Sequence, residues 1–106
     1  MKVLHVMAGA REGGAENIML ESVLALAKAG VSQHVVTRDE NKFRLEQFEA
    51  AGIGTTTASF NKNWPFNTRK ALTSAIETFQ PDVIEYWMGR AGQFAPARYR
   101  ARSVAW

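Results

Sequence analysis

Three glycines lie in the segment AGAREGGAEN, residues 8–17, between an apolar run and a long helical pattern. Gly13 and Gly14 come directly before that pattern, and the first backbone N–H groups of a helix have no partner within the helix. These N–H groups and the helix dipole favour an anion such as phosphate. Arg11, in the same segment, is long enough to reach such an anion. The alternative is that the two glycines only allow a tight turn against a sheet, and the residues alone do not decide between these interpretations.

The glycine spacing does not fit the two familiar nucleotide motifs. A dinucleotide fingerprint, G-x-G-x-x-G, needs a glycine where this chain has Arg11, although Asp39 resembles the ribose-binding acid of that motif. A Walker A loop needs Gly-Lys-Ser/Thr, which is absent from this segment. An oxidoreductase with a nicotinamide cofactor is therefore a less favoured class of protein. The segment is best described as a glycine-rich loop that comes before a helix.

Aromatic and basic side chains near predicted strand ends are further candidates for binding. Trp64 and Phe66 flank Pro65, where they could stack on a sugar face, enter a membrane interface, or cap the core beneath the next helix. Arg90 follows the fourth predicted strand and is a candidate for binding an acceptor or a phosphate. His5 and His34 lie inside predicted strands, and we expect hydrogen-bonded histidines there rather than catalytic ones.

Composition narrows the class of protein. The chain has 106 residues, is 46% hydrophobic and contains no cysteine, which indicates one small globular domain or a piece of a larger one. Two histidines without cysteine make a structural zinc site unfavourable, so we expect no metal. No apolar run approaches the roughly 18 residues of a membrane span, and the apolar run at the N-terminus is too short for a signal peptide. We expect a cytoplasmic protein.

The positive charge is concentrated near the C-terminus. Residues 1–88 carry nine Lys/Arg and ten Asp/Glu, whereas the remaining residues carry four arginines and no acid, which together give the net charge of +3. Such a cluster could attract a nucleic acid, an anionic lipid surface or an acidic partner, or it could be a solvated loop. Three arginines in RYRAR are thin support for nucleic-acid binding, and we expect no nucleic acid among the partners.

Apolar periodicity predicts strands that alternate with helices. Helices are expected over 15–28, over 41–51, and from Pro65 to just before Pro81, with Gly30 and Gly52 closing the first two. The positions expected to face the core are Met19, Val23, Leu26 and Ala27 in the first helix, Leu45 and Phe48 in the second, and Leu72, Ala75, Ile76 and Phe79 in the third. The five strands are expected in KVLHVM, SQHVVTR, IGTTTASF, DVIEYW and RSVAW.

This alternation predicts an α/β fold with a doubly wound, Rossmann-like parallel sheet and right-handed crossovers. Ligands of such sheets bind beyond the carboxyl ends of the strands. Four segments should converge there, namely 8–15, 38–42, 61–67 and 88–92.

The run KVLHVMAGAREGGAENIML, with LAKAGVSQHVV after it, resembles the opening of the family 4 retaining glycosyltransferases, which have the GT-B fold. The G-G-A-E of residues 13–16 carries most of this resemblance, and PFNTRKALTSAIETFQPDVIEYWMGRAGQFAP is similar to the third helix, fourth strand and following loop of that family. Where many members have histidine near the end of the fourth strand, this chain has Glu85, Tyr86 and Trp87.

The resemblance implies a transfer of sugar from a nucleoside diphosphate to a glycan or lipid-linked acceptor, with retention of anomeric configuration and without a cofactor or catalytic metal. Gly13 and Gly14 would let backbone amides approach the sugar or diphosphate. Arg11, Glu16 and Arg90 are further candidates for substrate binding, although Glu16 also suits the first turn of a helix through its charge alone. Trp64 and Phe66 are candidates for contact with the acceptor or with the inner face of a membrane.

The resemblance also implies that residues 1–106 form an incomplete N-terminal, acceptor-side domain without the donor-binding domain. We expect such a fragment to be inactive alone and to self-associate through an unfinished sheet edge. The catalytic residues are not identified by the sequence. The alternative is a stand-alone Rossmann-like module that binds a nucleotide or another phosphorylated ligand.

Overall fold

The computed structural model describes residues 1–7, 14–38, 42–60, 66–87 and 103–105. These residues form five strands and three helices. The strands are β1 (Lys2–Met7), β2 (Ser32–Thr37), β3 (Gly54–Thr57), β4 (Val83–Trp87) and β5 (Ser103–Ala105), and the helices are α1 (Gly14–Lys28), α2 (Lys42–Ala50) and α3 (Phe66–Phe79). Every element predicted from the sequence is present, with bounds that differ by a few residues at most.

All five strands are parallel, and their order in the sheet is β3-β2-β1-β4-β5. The chain therefore moves outward from β1 to β3, crosses back through α3, and continues from β4 to β5. This reversal is the defining feature of a doubly wound sheet and puts helices on both of its faces. The predicted Rossmann-like α/β fold is confirmed.

Each face of the sheet has its own hydrophobic core. One core joins Leu4, Val6, Val36, Ile84 and Tyr86 to the buried face of α3. The other joins β-strand residues of the opposite face to α1 and α2, and comprises Met7, Met19, Val23, Val35, Phe48, Ile53 and Trp87. Because side chains alternate along a strand, β1 contributes to both cores and is buried from Val3 to Met7.

Helices α1 and α2 end in the same capping motif. Gly30 and Gly52 have φ values of 83° and 77°, a left-handed conformation that glycine adopts without steric cost. In both motifs the residue after the glycine donates to the carbonyl five residues earlier: Val31 to Leu26 at 3.1 Å and Ile53 to Phe48 at 2.9 Å. These bonds define a Schellman motif, and they confirm the predicted glycine stops.

The predicted inward faces are correct in part. Met19, Val23, Phe48, Leu72, Ala75 and Ile76 are buried, whereas Leu26, Ala27, Leu45 and Phe79 are only half-buried. In α2 the fully buried pair is Arg44 and Phe48, four residues apart and therefore on one side of the helix. The arginine at an inward position is a feature that apolar periodicity does not detect.

Gly54 is required by close packing rather than by backbone conformation. It is the register partner of His34, and a Cβ atom at position 54 would lie 2.7 Å from the imidazole Nδ1. The same ring is held by a 2.7 Å hydrogen bond between its Nε2 and Thr56 Oγ1, and it lies against Phe79 with 5.6 Å between ring centroids. The imidazole therefore has little freedom to move away from a new methyl group.

We expect Gly54→Ala to lower the free energy of unfolding by about 1–3 kcal/mol, because overpacking displaces a fixed side chain. The measurement is urea denaturation of the single variant, of His34→Ala, and of the double variant. Removing the imidazole should relieve much of the penalty, so the double variant should be more stable than the sum of the two single effects. Ser59→Ala, an exposed change just beyond β3, is the control. Strict additivity of the two changes would contradict the steric explanation.

Candidate functional site

The candidate site is the carboxyl end of the sheet between β1 and β4, where the strand order reverses. Met7 and Trp87 are register partners at the last step of this strand pair. Gly14 begins α1, the helix that follows β1, so the first N–H groups of α1 lie at this end of the sheet. In doubly wound sheets a crevice at such a reversal is the usual place for a ligand. The topology therefore brings the strand reversal and the N-terminus of α1, which favours an anion, to the same end of the sheet. We refer to this end of the sheet, at the reversal between β1 and β4, as the crevice.

The sequence-predicted site residues are only partly within the described residues. Arg11, Gly13, Trp64 and Arg90 lie outside them, and the same is true of the side chain of Glu16, although its backbone is in the first turn of α1. Gly14 and Phe66 are described, as the first residues of α1 and α3.

Helices α1 and α3 pack on opposite faces of the sheet, so their first residues come to the carboxyl end from opposite sides. Phe66 is exposed, with 66% of its surface accessible.

Two contacts fix the chain before and after residues 61–65. The backbone N–H of Phe60 donates to Thr68 Oγ1 at 3.0 Å, and both residues are buried. Phe60 has a φ of 53°, in the left-handed region that residues other than glycine rarely adopt. Its carbonyl lies 3.5 Å from the guanidinium of Arg38, which follows β2. The start of α3 is thus tied to the ends of β2 and β3.

A buried polar network lies directly beneath the crevice, and sequence reasoning did not predict it. Gln33 Nε2 donates to the backbone carbonyl of Val23 in α1 at 2.8 Å, and Gln33 Oε1 lies 2.7 Å from His5 Nε2. On the other side of the imidazole, Trp87 Nε1 donates to His5 Nδ1 at 3.1 Å. One continuous set of hydrogen bonds therefore joins α1, β2, β1 and β4.

The donors and acceptors of this network allow one protonation state of His5. A backbone carbonyl only accepts, so the Gln33 atom facing Val23 is its amide nitrogen, and the atom facing His5 is its oxygen. His5 Nε2 must then carry the proton, because an amide oxygen cannot donate. The indole N–H of Trp87 is a donor only, so His5 Nδ1 must be unprotonated. His5 is the neutral Nε2–H tautomer.

Glu85 is the register partner of His5 and the acidic neighbour of the network. Its Oε2 lies 3.6 Å from His5 Nδ1, the nitrogen that accepts from Trp87. Burial lowers the pKa of His5 below 6.5, while the hydrogen bond to Gln33 and the charge of Glu85 act in the opposite direction. Burial is the largest of these effects, in agreement with the neutral state that the hydrogen bonds require.

His34 lies on the opposite face of the sheet, where its ring contacts Phe79 of α3. It is half-buried, bonded to Thr56 through its Nε2, and its pKa is lowered by burial. The prediction that His5 and His34 are hydrogen-bonded within the sheet is confirmed.

A shallow groove of about 330 Å³ lies at the other end of the molecule. It is lined by Leu24, Ala27, Lys28 and Ala51, at the C-terminal ends of α1 and α2. Because each helix runs antiparallel to its strands, this groove is at the amino end of the sheet, away from the crevice. Within the part of the chain that the structure describes, no helix is long and apolar enough to cross a membrane.

Comparison with curated proteins finds sequence similarity to a glycosyltransferase. The chain is 33% identical over 105 residues to the lipopolysaccharide core biosynthesis glycosyltransferase LpsD of Rhizobium meliloti (strain 1021). The match covers 99% of this chain and 30% of that protein, so the chain spans less than a third of the length of its relative. No family model matches the chain.

Comparison with solved structures supports the fold. Glycinamide ribonucleotide transformylase 1 from Symbiobacterium toebii matches with a TM-score of 0.55 and 15% identity, over 97% of this chain and 50% of that chain. A short-chain dehydrogenase/reductase from Serratia marcescens matches with a TM-score of 0.51 and 19% identity, over 80% of this chain and 34% of that chain. At such identities the likeness concerns the Rossmann-like fold alone.

The lowered pKa values of His5 and His34 predict how the stability of the chain depends on pH. Both pKa values are lowered in the folded state, so the unfolded chain takes up protons at a higher pH than the folded chain. Their contribution to stability should be complete above about pH 6.5 and should be lost as the pH falls from there towards the folded-state pKa values. The measurement is urea denaturation at about pH 7.5 and about pH 5.5. His5→Asn and His34→Gln should each reduce the difference, and a chain that becomes more stable on acidification would contradict the prediction.

Proposed function

We propose that this chain is part of a glycosyltransferase that moves a sugar from a nucleoside-diphosphate sugar to a glycan or lipid-linked acceptor. The observation that carries the proposal is the 33% identity to LpsD across nearly the whole chain. The position of α1 supports it, because a helix that opens at the strand reversal offers unpaired N–H groups to a diphosphate. The proposed acceptor class is a lipopolysaccharide core or a related glycan, and the proposed location is the cytoplasm.

The proposed chemistry is retaining transfer in a GT-B enzyme without a cofactor. The leaving group is a nucleoside diphosphate, and negative charge grows on it as the glycosidic bond breaks. Fixed N–H dipoles that already point at this charge lower the barrier without reorganising during the reaction. Gly14 begins α1 without a side chain that would block the approach. We propose that Gly13, Arg11, Glu16 and Arg90 complete the binding of substrate.

The test is sugar transfer by the natural protein that contains this chain. Nucleoside diphosphate release is measured with a panel of nucleotide sugars, with and without a lipopolysaccharide core fraction as acceptor. We expect release that requires both. Gly14→Val should lower the rate on the order of 100-fold, because its side chain would keep the diphosphate away from a preorganised N–H donor.

Ala25→Val, on the exposed face of the same helix, is the matched control and should retain activity. Equal activity of the two variants would contradict the role of the α1 N-terminus. Nucleotide binding without transfer by the natural protein would favour the alternative, a nucleotide-binding module.

We further propose that Trp64 and Phe66 bring the crevice to a membrane that carries the acceptor. The support is the 66% exposure of Phe66 at the first residue of α3. Aromatic side chains favour the interface of a bilayer, and the C-terminal arginine cluster would add attraction to anionic lipids.

Phe66→Ser should weaken co-sedimentation of the chain with vesicles that contain anionic phospholipid. Phe43→Ser is the matched control, since Phe43 lies in the first turn of α2 with 64% exposure. If the two variants sediment alike, Phe66 does not guide the chain to the membrane.

A further inference from the structure

Trp87 occupies the position in β4 where the sheet meets the crevice. It is the last residue of that strand and the register partner of Met7 at the end of β1. Its side chain is buried, with 8% of its surface accessible, and its ring centroid lies 6.2 Å from that of His5 at a tilt of 34°. The indole N–H points at His5 Nδ1, so the imidazole accepts a hydrogen bond from the side chain that ends β4.

The imidazole is itself fixed by its other nitrogen. Gln33 binds the N–H at Nε2, and Gln33 is in turn bound to the α1 carbonyl of Val23. This order of donors leaves a lone pair at Nδ1 and directs it towards Trp87. Hydrogen bonds through His5 thus connect α1, which begins at the crevice, with the end of β4.

A proton on His5 would break the bond with Trp87 and leave the bond with Gln33 intact. An imidazolium has two N–H donors and no acceptor, and an indole N–H cannot accept, so Trp87 and His5 would oppose each other. Gln33 Oε1 would still accept from Nε2. Glu85 Oε2, now 3.6 Å from Nδ1, would become the partner of the new N–H.

The groups on the same side of the sheet as His5 come from β2, α1 and α2, and α2 carries the buried charged residue Arg44. On its face of the sheet β2 presents Gln33 and Val35, and α1 contributes Met19 and Val23 to the same core. The charge of Glu85 acts on His5 and favours its protonated form.

We propose that His5 is a positioning residue of the crevice. Neutral His5 holds the indole of Trp87 at the end of β4, whereas protonated His5 releases the indole and binds Glu85 instead. In functional terms the inference rests on the proposed sugar transfer, because that reaction gives the crevice its ligand. The hydrogen bonds themselves are measurable without any ligand.

The first test is nuclear magnetic resonance on the ¹⁵N-labelled chain. The indole N–H signal of Trp87 is assigned with Trp87→Phe, and the imidazole nitrogens of His5 are observed through a pH titration. We expect protonated Nε2 and unprotonated Nδ1 at neutral pH, and an indole signal that shifts with the same midpoint as His5. The opposite tautomer, or an indole signal that does not follow His5, would overturn the proposal.

Variants separate positioning from simple packing. His5→Asn keeps a side-chain oxygen near the place of Nδ1 but cannot titrate, so the indole signal of Trp87 should stay shifted and become independent of pH in this range. Val35→Ala removes volume from the same core and should lower stability while the joint titration of His5 and Trp87 persists. An indole signal that still titrates in His5→Asn would assign the effect to another group and overturn the proposal.

The pH profile of sugar transfer gives the functional readout. In the natural protein kcat/KM should decline on the acid side with the midpoint that the resonance titration gives for His5, and His5→Asn should remove this decline. An unchanged acid decline in the variant would refute the positioning role. The absence of transfer at any pH would refute the proposed function instead, and the resonance titration would still decide whether His5 holds Trp87.

Discussion

Strand β1 lies between β2 and β4, and helices cover both of its faces. This position buries every side chain from Val3 to Met7, so each must be apolar or have its hydrogen bonds satisfied. Leu4 and Val6 meet the requirement on the α3 face through packing. His5 meets it on the other face only because Gln33 and Trp87 supply one acceptor and one donor at matching positions. The central strand therefore dictates what its two neighbours must carry.

The same constraint connects packing to the crevice. Gln33 ties the sheet to α1 at Val23, nine residues after the helix begins, which corresponds to about 14 Å along its axis. This tie restricts the tilt of α1 and with it the place of the N–H groups at Gly14. Trp87 ends β4 on the other side of the reversal and is held by the same imidazole. The two sides of the crevice thus share one support below it.

Local patterns were sufficient to predict the elements of the fold. The strands are short apolar runs. Gly30 and Gly52 end helices α1 and α2 because glycine adopts the left-handed conformation without steric cost. The strand reversal depends on the crossover through α3, which brings β4 next to β1. The alternation of strands and helices in the sequence does not predict this strand order. The burial of Arg44 was not predicted, because it depends on tertiary contacts that the neighbouring residues in the sequence do not indicate.

The buried network escaped prediction for a related reason. Gln33 is 28 residues from His5 and Trp87 is 82 residues away, so nothing in the local sequence of β1 indicates either partner. The one available signal was a polar residue at an inward position of an apolar strand, and both His5 and Gln33 carry it. That signal predicts that a partner exists, but only the strand order identifies which residue it is.

The described groups at the crevice differ in kind from those that exchange protons with a substrate. The first N–H groups of α1 are fixed dipoles, Met7 and Trp87 are packed side chains, and the proton of His5 at Nε2 is engaged by Gln33. Such groups can bind a ligand and orient it. In the proposed transfer from a nucleoside diphosphate, the leaving group would depart as a stabilised anion, so orientation and fixed dipoles would reduce the barrier more directly than an added acid. The neutral state of His5 suits this role, because a cation below the crevice would lose the bond that keeps Trp87 in place.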